Sequence, residues 1–150
     1  MTGSQIRNYV TKILIDIMFF GGIAACAVLP FILTSVLSFI GANPELRLIY
    51  TVIFLSSGLS AVYILYQLKR MFKTLVGGNP FVAENVSSLR KCAVAGALIA
   101  LIYLIRLIFW FTIAASVIVV IFALLSLFCL TIKDLFKQAI AYKEESDWTV

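Results

Sequence analysis

The sequence predicts an all-α integral membrane protein: a four-helix bundle in which a cytoplasmic helical elbow joins two hairpins and both chain ends lie in the cytoplasm. Three observations predict it. Of 150 residues, 63% are apolar and only 13% charged, and the mean hydropathy is +1.09, a composition outside the soluble globular range. The apolar residues fall in blocks long enough to cross a bilayer, which takes about 20 residues for a hydrocarbon core of roughly 30 Å. The basic residues collect on one side of those blocks.

The first block, 13–40, is interrupted only by Asp16, Thr34, Ser35 and Ser38, and predicts one span; Gly21, Gly22 and Pro30 are where it could bend. "GANPEL" (41–46) supplies the residues of a tight turn. The second block, 48–68, carries no charge and predicts a second span. A third block begins at Cys92 and is long enough for two spans, expected at 92–107 and 111–132. Arg106, Trp110 and Thr112 suit the headgroup level and put the bend between 105 and 112. What remains is a polar elbow, 69–91, and a tail, 133–150.

Orientation follows from Lys and Arg. Arg7, Lys12, Lys69, Arg70, Lys73, Arg90, Lys91, Lys133, Lys137 and Lys143 lie on one side of the spans, against Arg47 and Arg106 on the other. The positive-inside rule then places both termini and the elbow in the cytoplasm. A competing parse makes "GIAAC" (22–26) a lipoprotein cleavage site ending at Cys26. Against it, Asp16 interrupts the required apolar stretch and "AVLPFIL" continues the run past Cys26. The net charge of +5 reads as lipid attraction and topology rather than direct nucleic-acid binding, because the basic residues flank apolar runs.

Within the elbow, Leu68, Met71, Phe72 and Leu75 recur at helical spacing, so the second span is expected to continue as an amphipathic turn or two. Gly77 and Gly78 stop it, Asn79 is the expected N-cap of a new helix, Pro80 its first residue, and Glu84 favours its positive end. "GGNPFVAENVSSLRKCAV" (77–94), with the closing "LFKQAIAYKEESDWTV" (135–150), resembles the bacterial family called domain of unknown function 2975, small four-span membrane proteins, over essentially the whole chain. Trp148 departs from the smaller residue common there. The resemblance implies no activity. It does imply company, since such proteins are often encoded beside a small helix-turn-helix regulator.

Chemistry is sparse. There is no histidine, and the cysteines Cys26, Cys92 and Cys129 lack metal or redox spacing. Neither an enzyme nor a cofactor or metal site is expected. Asp16 and Arg106 are the ionisable residues nearest the bilayer interior; Asp16 is expected to pair with Lys12, and Arg106 to snorkel outward. "SSGLSA" (56–61) and "AVAGALIA" (93–100) supply small residues for helix approach. "LKRMFK" (68–73) and "IKDLFK" (132–137) form a short echo at two helix exits.

The expected function is a signalling or anchoring subunit that holds or regulates a cytoplasmic transcription regulator. Contacts are assigned to Phe81, Glu84, Asn85, Arg90, Glu144, Glu145 and Asp147. The alternative is a small transporter, channel subunit or immunity-type protein, which would need a homo-oligomer to make a pore.

Overall fold

The computed structural model describes residues 3–149, which form four helices: α1 (Gly3–Phe39), α2 (Pro44–Val76), α3 (Ala83–Phe109) and α4 (Ile113–Trp148). Hydrocarbon favours this outcome, because a helix satisfies its backbone groups without water. At 1.5 Å per residue, the 37 residues of α1 reach about 55 Å and the 27 of α3 about 40 Å, both beyond a core of roughly 30 Å. All four are long and apolar enough to cross a membrane, and each has residues to spare beyond its span.

Most of the elbow is helical. Residues 69–76 belong to α2 and 83–91 to α3, so only 77–82 leave the helical path. The tail from 133 is likewise a continuation of α4 rather than a flexible segment, since neither glycine nor proline interrupts 113–148. α1 passes through Pro30 unbroken. The turn between α3 and α4 occupies 110–112, inside the expected interval.

Two glycines close helices in the same way. Gly41 (φ 76°) and Gly78 (φ 84°) take the left-handed conformation. Beside Gly41, the Gly41 and Ala42 N–H groups donate to Ser38 and Leu37 carbonyls at 3.1 and 3.0 Å. Beside Gly78, Gly78 and Asn79 donate to Leu75 and Thr74 at 3.2 and 3.3 Å. Both are Schellman closures, which consume carbonyls a helix end would otherwise leave orphaned.

The helices pack as an open row. α1 touches α2, α2 touches α3 and α3 touches α4, and among the described residues no other pair meets. The four helices expected from the sequence thus lie side by side and do not close into a ring. The seams are built from small residues. A Cβ on Gly58 would lie 2.8 Å from Cys26 Sγ of α1, and one on Gly22 3.2 Å from Val62 of α2. Gly96 of α3 lies against the Phe122 carbonyl and Ser126 of α4, and Ser126 Oγ donates to the Ala93 carbonyl at 2.8 Å. α3, in the middle, buries Leu89, Cys92, Ala93, Ala95, Gly96, Ile99 and Ala100, whereas α1 buries only Ile15. Side chains such as Phe39, Phe111 and Ile113, each at least three-quarters exposed, require lipid around the row.

Because Gly58 has no room for a methyl group, Gly58→Ala is expected to lower stability by about 1–3 kcal/mol, and Cys26→Ala in the same chain to restore most of the loss. Thermal unfolding in mild detergent of the two single variants and the double variant measures the coupling.

Candidate functional site

The polar groups of the chain gather at the end of the row that holds the elbow. Here the sequence places Thr74 on the last turn of α2 and Asn85 on the first turn of α3. Asn85 Nδ2 donates to the Pro80 carbonyl at 2.7 Å and to Thr74 Oγ1 at 2.8 Å. Thr74 Oγ1 lies 2.7 Å from the Met71 carbonyl and 3.1 Å from Asn85 Oδ1, two acceptors for its one proton. Asn85 is 2% exposed, so its amide ties the elbow together and is turned away from any partner, contrary to the contact role expected of it.

The same amide explains why α3 starts later than the sequence suggested. A helix beginning at Pro80 would have the Pro80 carbonyl accept from the backbone N–H four residues on. Instead that carbonyl receives the Asn85 side chain and the Val82 N–H at 3.1 Å. Val82 is extended (φ −123°, ψ 148°) and precedes the first helical residue, Ala83. Asn79 and Pro80 are thus loop residues, and Asn79 contributes its backbone N–H to closing α2. Gly77 is right-handed (φ −71°), so Gly78 alone carries the left-handed turn.

Around this knot the other expected contact residues separate into groups. Phe81 stacks edge-on against Phe136 of α4, centroids 5.2 Å apart, and stays 43% exposed. Glu84 faces Arg70 of α2 at 3.4 Å, an exposed pair of small energetic value. Arg90 shares a cavity of about 290 Å³ with Lys133 and Lys137 of α4, a convergence the sequence did not reveal because those lysines lie more than forty residues away. Glu144, Glu145 and Asp147 are fully on the surface of α4. They begin eight residues past Phe136, about 12 Å further along the helix.

Asp16 is paired, but with Lys69 of α2 at 2.9 Å rather than with Lys12 one turn back. At that distance the two charges attract directly across the α1–α2 seam. Phe19 and Phe20 add ring faces 5.3 and 5.0 Å from the same ammonium. Lys133, the counterpart of Lys69 in the sequence echo, pairs instead with its neighbour Asp134 at 3.1 Å, so the two exits share a pattern and not a role. At the far end of the row, Arg106 rests on the Tyr50 ring of α2 at 5.3 Å. The sequence reading passed over the buried polar residues Ser88, Ser126 and Gln67. Gln67 of α2 is 2% exposed, and its Oε1 finds no donor among the described residues. The signal of Gln67 was being the one side-chain amide in the uncharged run 48–68.

Four lipid-length apolar helices with their polar structure at one end define a multi-pass membrane protein. The chain matches the family described as "Protein of unknown function (DUF2975)" over residues 41–150 and belongs to it. The match starts at the turn into α2, so α1 lies outside it, and the likeness is narrower than the whole-chain resemblance expected. No curated protein matches the chain. No solved structure matches it either.

Two outcomes test this geometry. Asn85→Ala, which removes the side-chain donor shared by the Pro80 carbonyl and Thr74 Oγ1, is expected to cost about 1–3 kcal/mol and to speed proteolytic nicking within 77–82, read by limited proteolysis in detergent. Charge reversal at the α1–α2 contact is the second: Asp16→Lys alone should loosen α1, while Asp16→Lys with Lys69→Asp should recover thermal stability.

Proposed function

We propose that this chain is a non-catalytic subunit of the bacterial cytoplasmic membrane, both ends inside the cell, that holds or regulates a cytoplasmic helix-turn-helix transcription regulator. The carrying observation is the last part of α4. Residues 141–149 are all exposed, and Trp148, 89% exposed, sits beside Glu144, Glu145 and Asp147. An indole this exposed among the charged last turns of α4 is the kind of anchor that interface cores favour. The acidic side chains around it suit a basic partner, as a DNA-binding regulator is.

Several features support this reading. The braced elbow and the Phe81–Phe136 contact hold the base of the α4 stalk, so a partner would meet a preorganised surface. Phe81 and Glu84 remain exposed beside it. Ten of the twelve basic residues follow the same end of the spans, which favours a cytoplasmic location for it. Regulation requires two arrangements of the row with different affinity for the partner. Conduction by one copy is disfavoured, because helices that touch only their sequence neighbours enclose no lumen.

Capture of a helix-turn-helix protein by the tagged chain after in-cell crosslinking is the expected result. Trp148→Ala with Glu144→Lys and Glu145→Lys should abolish it while leaving the helix content unchanged. Repeated failure to capture any such partner overturns the proposal. Orientation is checked with a membrane-impermeant thiol reagent in a chain whose native cysteines are replaced: a cysteine at 78 should stay unlabelled in intact cells and one at 42 should react.

A further inference from the structure

The basic cavity at the elbow end shares two lining residues, Ser87 and Arg90, with an apolar groove. Along the α2–α3 seam a groove of about 600 Å³ is lined by Leu59, Ser60 and Tyr63 of α2 and by Val94 and Leu98 of α3. Ser87, Arg90 and Lys91 line its elbow end. Ser87 and Arg90 also line the smaller cavity that Lys133 and Lys137 enter from α4. One stretch of α3 therefore carries an apolar groove on one side and a cationic pocket on the other, with Arg90 common to both. No acidic side chain lines either space.

We propose that this composite is a binding site for one anionic phospholipid. Its phosphate lies among Arg90, Lys133 and Lys137, and an acyl chain lies along Leu59, Val94 and Leu98. The dimensions fit: Arg90 to Leu98 is a rise of about 12 Å, most of the roughly 15 Å that one leaflet contributes to the hydrocarbon. The level fits as well. Arg90, Lys91 and Lys133 fall at the edges of the apolar blocks, where headgroups lie, and the groove begins one turn further in. Several cations without a lining carboxylate attract a net negative headgroup and repel the amine of a zwitterionic one. A soluble protein could reach the cations but not a groove at hydrocarbon depth. Inorganic phosphate could occupy the pocket but has no use for the groove. Lys133 keeps its contact with Asp134, an exposed neighbour that takes little of its attraction for a phosphate. Because the lipid would touch α2, α3 and α4 together, it would join the two seams of the central helix. The proposal does not depend on the regulator reading.

The test uses the full chain in nanodiscs of equal parts phosphatidylglycerol and phosphatidylcholine, extracted gently, with retained lipid identified by native mass spectrometry. One phosphatidylglycerol per chain, enriched over phosphatidylcholine, is expected. Arg90→Gln with Lys137→Gln should reduce the enrichment on the order of tenfold. Removing equal charge at Arg7 and Lys143 should leave it unchanged. Val94→Trp, which fills the groove and leaves every cation, should also abolish retention. Inorganic phosphate added to the wild type should not displace the lipid at millimolar concentration. Equal retention of both lipids, or none, by the wild type overturns the proposal even if every variant misfolds. So does equal loss from the distal pair, full retention by Val94→Trp, or displacement by phosphate.

Discussion

Helices in lipid gain little from burying apolar side chains against one another, because the solvent they leave is equally apolar. Close backbone approach is what holds this row, and it depends on small residues. Gly22 and Gly58 admit α1 to α2, while Ala93 and Gly96 admit α4 to α3. The buried set reflects this, being mostly alanine, serine, cysteine and glycine, with Ile15, Ile64, Gln67, Asn85, Leu89 and Ile99 as the larger members. Cys92 and Cys129 belong to that set, and Cys92 Sγ lies 3.9 Å from the Ile64 carbonyl across the α2–α3 seam.

The same constraint orders the helices by how firmly they are held. α3 is packed on two sides and provides most of the buried residues, whereas α1 has one neighbour and one buried side chain. Attachment of α1 relies on two glycine contacts and on the Asp16–Lys69 pair with its two phenylalanine rings. The family match runs from the start of α2 onward, which coincides with the part of the row that α3 organises. Polar energy is spent differently at the two ends. At the elbow, Asn85 and Thr74 satisfy backbone that leaves the helical path; at the opposite end, Arg106 needs only the Tyr50 ring.

A protein arranged in this way has rigid structure where it meets water and an open, lipid-facing body. Such a body lacks an enclosed chamber in a single copy, and its polar equipment lies at one end. The proposed role, holding a partner at that end, is compatible with this geometry. The free turns of α4 and the cationic pocket under the elbow are separate surfaces, one presented to water and the other to headgroups.

How much was legible in the sequence follows from the range of each effect. Helix count, a bend within 105–112, a glycine stop at 77–78 and the identity of the polar end depend on composition and on residues a few positions apart, so a linear reading recovers them. Start of α3 was misread because Pro80 and Asn79 carry the local signal of a helix start, while a side chain five residues on captures the carbonyl that decides it. Partners across seams were beyond local reading: Asp16 with Lys69, Phe81 with Phe136, and Arg90 with Lys133 and Lys137 all join residues from different helices. Whether the four helices close into a bundle or remain a row was also left to the tertiary structure, because apolar stripes facing lipid and apolar stripes facing protein look alike in sequence. By itself, then, the sequence determined what crosses the membrane and which end is polar. Tertiary structure decided which helices touch and which charges meet, since contact depends on the register of small residues across each seam.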